Sequence, residues 1–316
     1  MDFEEIKSDL RQEKKESLFL RPESEVLIMD KHVQKKMSLD EIKAYETLEE
    51  YREVLKDESI EIIIPKIISY DKDRQIGIIE KLKGFSDIPP ADYFGRTSLF
   101  NQFYFNAFLR AAEIIRTTIR NENVSNKFDY EIGEKEDIPS LQYIKKASIT
   151  LGKEVKRMDG LYEEIEDMVY KTQQVIMGME LKASHRDPNP NNYHIYTSGG
   201  KIKVSIIDWA TFGLARRGFE EGRFFSYLAL SKEKQNIYLD IIKEKSWTKE
   251  EVLYFWRVVI MRAYKEIASM LCGYYDDRLN KSISNQNQEN RSRKLKNEII
   301  NALYETIGNG LKQIKL

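Results

Sequence analysis

One polar segment near the middle of the chain carries residue types that could support phosphoryl transfer. The segment reads His185-Arg186-Asp187-Pro188-Asn189-Pro190-Asn191-Asn192. Asp208 ends an apolar stretch sixteen residues beyond Asn192. Mg²⁺ prefers hard oxygen ligands, which an asparagine amide and an aspartate carboxylate supply, and an aspartate can accept or orient the proton of an attacking hydroxyl. We therefore interpret Asp187 as the catalytic residue and Asn192 and Asp208 as Mg²⁺ ligands.

The elements predicted around this segment explain how its side chains would meet. Tyr193–Tyr196 and Ile202–Ile207 are separated by a Gly-Gly turn and are typical of a two-stranded hairpin. A hairpin places Asp187, Asn192 and Asp208 near one another.

A second interpretation of the same segment is that it only forms turns. Aspartate and asparagine are common in loops because their side chains cap turns. The order, spacing and strand context of the two motifs favour the catalytic interpretation. We expect His185 to be a packed residue that shapes the loop, and the spacing of His32 and His194 disfavours a zinc site.

The two motifs resemble those of the aminoglycoside phosphotransferase and choline kinase family, the small-molecule branch of the protein-kinase-like superfamily. That family has H-x-D-x-x-x-x-N followed by an aspartate after apolar residues, often with a tryptophan next, as Trp209 is here. Protein kinases instead have D-F-G and A-P-E, whereas this chain has Asp208-Trp209-Ala210 and no A-P-E. The resemblance implies an ATP- and Mg²⁺-dependent kinase that phosphorylates a hydroxyl of an aminoglycoside-, choline- or sugar-like acceptor. An unusual protein kinase is disfavoured.

The resemblance also implies where a nucleotide binds. Lys31, after the strand Val26–Met29, takes the place of the family's phosphate-contacting lysine, and Glu41 takes that of its partner. Neighbouring lysines leave open that Lys31 is a surface residue, and Glu41 also fits a capping box with Ser38. The backbones of Glu80 and Leu82 would contact the adenine, in a hinge that ends at Gly84.

One departure from the family pattern concerns the loop over the phosphates, where the backbone approaches closely and small residues are usual. Residues 1–76 contain no glycine. The candidate loops are Arg11–Ser17 and the short turn after Leu20. This departure favours a second hypothesis, a catalytically silent kinase-like protein that binds nucleotide or acts as a scaffold.

The pattern of apolar residues predicts an α+β fold in two lobes, and the resemblance implies that this fold is protein-kinase-like. Strands and one helix after Ser38 fill residues 1–83, the predicted nucleotide-binding lobe, and a mainly helical lobe with the acceptor pocket fills residues 84–316. Within the second lobe we predict a helix from Leu141 to about Lys182, broken near Gly152 and Gly160, and a mobile polar stretch over residues 277–295.

The resemblance implies an acceptor pocket in the helical lobe, below Asp187. A cationic acceptor needs acidic or aromatic lining. The candidates by chemistry alone are Glu220, Glu221, Tyr274, Tyr275, Asp276 and Asp277. For each of them a solvated or structural role is the competing interpretation, and Glu220 or Glu221 could brace the catalytic loop. Trp247, Phe255 and Trp256 are more typical of a core.

Composition limits the remaining classes. The 316 residues carry 51 basic and 52 acidic side chains, a net charge of −1, which excludes a strongly basic nucleic-acid binder. The hydrophobic fraction of 41% is sufficient for folded cores. The single cysteine, Cys272, excludes an internal disulfide, and no apolar run reaches the ~20 residues of a membrane span. We expect a cytoplasmic protein without nucleic-acid or membrane partners.

Overall fold

The computed structural model describes residues 26–82, 84, 94–124, 156–271 and 288–314. Its N-terminal part is a four-stranded antiparallel sheet in the order β1-β2-β5-β4. The strands are β1 (Val26–Ile28), β2 (His32–Lys36), β4 (Ile67–Asp71) and β5 (Ile76–Glu80). Both candidate phosphate loops, Arg11–Ser17 and the short turn after Leu20, lie outside the described residues.

Helix α1 (Leu39–Tyr51) begins where the sequence predicts. The Ser38 Oγ accepts a hydrogen bond from the backbone N–H of Glu41 at 3.1 Å, which caps the first turn. Ile42, Tyr45 and Leu48 are buried and form the apolar face of the helix. This face joins the core that also contains Trp209, and α1 contacts the turn Trp209–Thr211 that follows Asp208.

A second sheet contains the predicted hairpin and one strand from the N-terminal segment. Strands β7 (Tyr193–Ser198) and β8 (Lys201–Ile206) pair antiparallel, as expected. Strand β3 (Ile60–Ile63) pairs parallel with β8 and not with the N-terminal sheet. The segment 1–83 therefore contributes a strand to the hairpin that carries Asn192 and Asp208. The lobe boundary at residue 83 stays a prediction.

The described part of the chain also contains six more α-helices and a third sheet. The helices after α1 are α2 (Gln102–Thr118), α3 (Lys156–Met177), α4 (Phe219–Ser226), α5 (Lys232–Glu244), α6 (Lys249–Leu271) and α7 (Gln288–Ile314). The third sheet pairs β6 (Leu181–Ser184) with β9 (Gly213–Arg216). In this part of the chain no helix is long and apolar enough to cross a membrane.

Three local predictions about these helices were wrong. Helix α3 continues through Gly160, where a break was predicted, and it ends at Met177, so that Lys182 lies in a strand. Residues 288–295, expected to be mobile, belong to α7, because Leu295 and Ile299 on its apolar face are buried against α6. The region around Gly152 lies outside the described residues.

A buried aromatic core fixes the position of helix α4. An aromatic cluster joins α2 to α4 and α5, with the Phe108 and Phe224 rings stacked at 4.5 Å and Phe105 edge-on to Tyr238 at 5.3 Å. Phe255 and Trp256 are buried in this core and Trp247 packs against it, as predicted. Helix α4, on which the catalytic loop rests, is thus fixed on its inner side.

Candidate active site

The catalytic loop lies between β6 and β7, and its hydrogen bonds hold Asp187 beside Asn192. The Asn192 Nδ2 donates to the Asp187 Oδ2 at 3.0 Å and to the Asp187 carbonyl at 3.1 Å. The backbone N–H of Ile207 donates to the Asn192 carbonyl at 3.0 Å. Asn192 is buried, whereas the Asp187 side chain is 25% exposed. Asp187 can therefore be reached by an acceptor.

His185 is fully buried, as expected for a residue that shapes the loop. Its Nε2 is 3.0 Å from the Ile207 carbonyl, and its ring is edge-on to Trp209 at 4.6 Å. The Thr211 hydroxyl donates to the His185 carbonyl at 2.9 Å. These contacts join the loop to the segment after β8, which carries Asp208.

Beneath the loop lies a buried group of charges, Arg116, Glu220 and Glu221, which we name the brace cluster. The Glu220 carboxylate accepts from the backbone N–H of His185 at 3.0 Å and of Arg186 at 3.3 Å. The Arg116 guanidinium contacts Glu220 at 3.1 Å and Glu221 at 2.6 Å. Burial opposes the charge of Arg116, but both carboxylates outweigh it and raise the pKa. Glu220 thus braces the catalytic loop, one of the two roles considered from the sequence.

A second group of charges, Lys35, Glu41 and Asp208, joins the N-terminal sheet to the end of the hairpin, and we name it the cleft cluster. The Lys35 Nζ is 2.5 Å from the Glu41 Oε1 and 2.9 Å from the Asp208 Oδ1. Burial opposes the charge of Lys35, yet attraction by Asp208 and Glu41 outweighs it and raises the pKa of this lysine. Burial also raises the pKa of Glu41, against the attraction of Lys35. Asp208 itself is 39% exposed, so the cluster opens to solvent on one side.

The structure gives Glu41 a different lysine partner from the one predicted. Lys31 lies exposed in the turn between β1 and β2, whereas Lys35 on β2 contacts Glu41. Lys35 shares a strand face with Val33, which packs against the core. Lys35 lies two residues after an inward-facing valine, and this spacing is the sequence feature that could have identified Lys35 as an inward-facing lysine.

Glu80 and Leu82, the hinge residues that the resemblance implies, lie at the end of β5 and just after it, and their role stays a prediction. Glu80 ends β5 opposite His32, Leu82 follows two residues later, and Gly84 has φ +89°. A Cβ atom on Gly84 would lie 1.9 Å from the His194 ring, so this position requires glycine. The hinge thus lies directly against strand β7 of the hairpin.

Asn192 and Asp208 carry an amide oxygen and a carboxylate, the oxygen types that Mg²⁺ prefers, and they could hold the ion together with phosphate oxygens. The Asn192 nitrogen donates to Asp187, so the amide oxygen is the atom of this side chain that could face a metal ion. Across the described ranges, no group of three or more His, Cys, Asp or Glu side chains could hold a metal ion by itself. Mg²⁺ in phosphoryl-transfer sites is commonly bound by one or two protein oxygens together with substrate phosphates.

The acceptor candidates from the sequence are only partly accounted for. Glu220 and Glu221 are buried and paired with Arg116, so neither lines an open pocket. Tyr274, Tyr275, Asp276 and Asp277 lie outside the described residues, as does Cys272. The acidic lining expected for a cationic acceptor is therefore not provided by Glu220 and Glu221.

Comparison with known proteins identifies the fold. Aminoglycoside 2'-phosphotransferase-IIIa in complex with GDP is 13% identical, with a TM-score of 0.52 and coverage of 97% of this chain and 98% of that one. Spectinomycin phosphotransferase with ADP and spectinomycin is 12% identical, with a TM-score of 0.53 and 92% of both chains covered. A choline/ethanolamine kinase family protein from Mesorhizobium loti is 11% identical, with a TM-score of 0.55 and coverage of 95% and 92%. No protein-family model and no curated protein sequence matches.

At these identities the likeness shows the fold, over nearly the whole chain. The two-lobed α+β architecture predicted from the sequence is confirmed, as is the resemblance to these small-molecule kinases at the level of fold.

Proposed function

We propose that this chain is a nucleotide- and Mg²⁺-dependent phosphotransferase that transfers the terminal phosphate of ATP or GTP to a hydroxyl of a small molecule. The observation that carries the proposal is the cleft cluster. A lysine of the N-terminal sheet contacts Asp208, which follows β8, and Asn192, which precedes the paired strand β7 at the same end of the hairpin, contacts Asp187. In the proposed enzyme Lys35 is the cation for the phosphates, Asn192 and Asp208 are the metal ligands, and Asp187 is the proton acceptor.

The cleft cluster supplies the charges that bind phosphates. The compact ammonium group of Lys35 would neutralise the phosphates next to the sugar, and Glu41 holds it in place at 2.5 Å. Asn192 and Asp208 would hold Mg²⁺, which, when bound, neutralises charge on the phosphate oxygens. The backbones of Glu80 and Leu82 would contact the base.

Asp187 performs the proton chemistry in this proposal. The acceptor oxygen forms a bond to the terminal phosphorus, the bond from that phosphorus to its bridging oxygen breaks, and the nucleoside diphosphate leaves. The hydroxyl proton passes to the Asp187 carboxylate. Asn192 fixes the Oδ2 of that carboxylate at 3.0 Å, and Glu220 holds the backbone on its N-terminal side.

The experiment follows the melting temperature with ATP or GTP, with and without Mg²⁺, and measures release of nucleoside diphosphate. A ligand that binds only the native state raises the melting temperature. We expect a Mg²⁺-dependent rise that disappears in Asp208→Ala. We also expect Asp187→Ala to retain the rise and to lose ~10²–10⁴-fold in turnover. Full turnover in Asp187→Ala contradicts the mechanism.

A silent kinase-like protein is the second candidate, because residues 1–76 contain no glycine to cover the phosphates closely. It predicts nucleotide binding without release of diphosphate in the presence of any acceptor. The pairing of Asp187 with Asn192 favours the enzyme, since a silent site has no chemical need for that geometry. We propose a cytoplasmic location for either form, in keeping with the single cysteine.

A further inference from the structure

Arg223 on helix α4 is the cation that the structure places against the catalytic carboxylate on the side away from the metal ligands. Its Nη2 lies 3.8 Å from the Asp187 Oδ1, whereas Asn192 binds the other oxygen, Oδ2. The two oxygens of Asp187 thus face different partners. Oδ2 faces Asn192, on the proposed nucleotide side of the site, and Oδ1 faces Arg223.

The Arg223 guanidinium is held rigidly by contacts that leave Nη2 pointing at Asp187. Its Nη1 donates to the Arg186 carbonyl at 2.6 Å, and its guanidinium carbon lies 5.4 Å from the centre of the Phe219 ring. The 3.8 Å separation from Asp187 exceeds hydrogen-bond distance. The side chain is 17% exposed. Nη2 therefore presents a fixed donor that an acceptor molecule can reach.

The described charges around this position do not favour a cationic acceptor. The Arg262 guanidinium contacts Glu266 at 2.5 Å and the Tyr227 hydroxyl at 2.8 Å, one turn beyond Arg223. Glu266 and Glu220 are buried and each has an arginine partner. Burial raises the pKa of Tyr227, which also experiences the charges of Arg262, Glu266, Asp187 and Arg223. Glu220 and Glu266 are thus each paired with an arginine of their own, and Asp187 is the carboxylate that faces Arg223.

We propose that the acceptor carries an anionic group, a carboxylate or a phosphate, which Arg223 binds while Asp187 receives the proton of a hydroxyl on the same molecule. This inference rests on the proposed function. Two ordinary hydrogen bonds and the Arg223–Asp187 separation put hydroxyl and anion within roughly 9 Å of each other. The acceptor class is thus hydroxy acids or phosphorylated polyols, and an arginine fork suits both anions.

The test measures binding of small probes to the full chain with Mg²⁺ and a non-hydrolysable ATP analogue, which keeps phosphate probes out of the nucleotide site. The anionic probes are glycerate, glycerol 3-phosphate and glucose 6-phosphate. Glycerol and glucose are the neutral counterparts, and choline and kanamycin are the cationic ones. We expect at least one anionic probe to raise the melting temperature and the neutral and cationic probes to leave it unchanged. Binding of choline or kanamycin, or of no anionic probe, overturns the proposal.

Substitutions at Arg223 separate recognition from support of the loop. Arg223→Gln should weaken the anionic probe about tenfold or more, because one charge-assisted hydrogen bond is lost, and Arg223→Lys should weaken it less. Arg110→Gln, on an exposed arginine elsewhere, is the control. The shift caused by the nucleotide analogue should persist in every variant. If it falls together with probe binding in Arg223→Gln, the role of Arg223 is structural and the proposal is wrong.

The two proposals fail in different ways. A wild-type chain that shows no shift with nucleotide and Mg²⁺ contradicts the proposed function. A chain that binds nucleotide but keeps its affinity for the anionic probe in Arg223→Gln contradicts only the acceptor class. With an anionic acceptor that is turned over, Arg223→Gln should raise KM far more than it lowers kcat.

Discussion

The cleft cluster and the brace cluster have the same composition, one basic side chain between two carboxylates, but different surroundings. In the brace cluster the three side chains are 4%, 0% and 2% exposed, and the carboxylates also accept from the backbone of the catalytic loop and of Gly218. In the cleft cluster the Asp208 carboxylate is 39% exposed. The first is closed around protein donors, and the second is open to a ligand.

The difference shows what each cluster can do. Taking charges out of water costs more than their attraction returns unless additional hydrogen bonds satisfy them. Backbone N–H groups supply those bonds to Glu220 and Glu221, so the brace cluster holds a fixed loop. In the cleft cluster the Asp208 carboxylate stays in contact with water. Phosphate and metal can replace that water without unfolding of the chain. We therefore expect stability to depend on the brace and activity on the cleft.

The largest effect should come from Glu220→Ala. This change removes the acceptor of two backbone N–H groups and one partner of the buried Arg116, so we expect a loss of about 3–5 kcal/mol in unfolding free energy. Urea unfolding of the purified chain measures it. Glu220→Gln keeps the acceptor and should lose less, and Glu233→Ala, at an exposed position, serves as the control. A loss below about 1 kcal/mol in Glu220→Ala would remove the distinction between the clusters.

Lys35→Met should affect activity far more than stability. Loss of one preorganised cation at phosphate oxygens typically costs ~10²–10³-fold in rate. The cost in unfolding free energy should be about 1 kcal/mol, since Asp208 stays hydrated and Glu41 can take up a proton. Nucleotide-dependent release of diphosphate and urea unfolding are measured on the same samples.

Two neighbouring lysines provide the matched tests for this variant. Lys36 follows Lys35 on the exposed face of β2, and Lys36→Met should leave both quantities unchanged. Lys31→Met tests the assignment made from the sequence. A loss of turnover in Lys31→Met that exceeds the loss in Lys35→Met would restore Lys31 as the phosphate-contacting lysine.

The pH dependence should also separate the clusters. Burial lowers the pKa of Lys35, but attraction by Asp208 and Glu41 together outweighs it, so the folded state raises this pKa. The contribution of Lys35 to stability is therefore complete below the ordinary lysine pKa of about 10.4. It is lost as the pH rises through the higher pKa of the folded state. The difference in melting temperature between wild type and Lys35→Met should not shrink between pH 7 and about 10, and it should shrink above. A difference that already shrinks between pH 7 and 9 would contradict the paired geometry.

The smallest effect belongs to an exposed pair that lies in neither cluster, Arg110 with Asp57 at 2.6 Å. Burial opposes the Asp57 charge, but hydrogen bonds from Ile60, Ser59 and Arg110 outweigh it and lower the pKa to about 2. Arg110→Gln should cost about 0.2–1 kcal/mol at pH 7, the range of surface pairs. Because folding lowers the pKa of Asp57, its ionised carboxylate stabilises the fold at pH values above the ordinary aspartate pKa. The loss in unfolding free energy caused by Arg110→Gln should therefore vanish as the pH falls towards 2. A cost that persists at pH 2 in urea unfolding would exclude an ionic origin.

The site was predictable where it is local in sequence. Asp187 and Asn192 are five residues apart in one loop, and Asp208 follows one hairpin later, so short-range turns and pairing bring them together. Lys35 was missed because its partner Glu41 belongs to another element. The choice between the two lysines depends on which side chain faces inward. Lys31 is exposed in the turn before β2, whereas Lys35 faces inward from the strand and contacts Glu41.

The sequence by itself determined the two-motif loop, the hairpin and the α+β order of elements, because these follow from neighbouring residues and from the period of apolar positions. Only the tertiary structure decided the remainder. It paired β3 with β8, joined Arg116 to Glu220 across 104 residues, and turned Arg223 toward Asp187. Such contacts depend on how helices and sheets pack, and residues far apart in sequence carry no local pattern that specifies the partner.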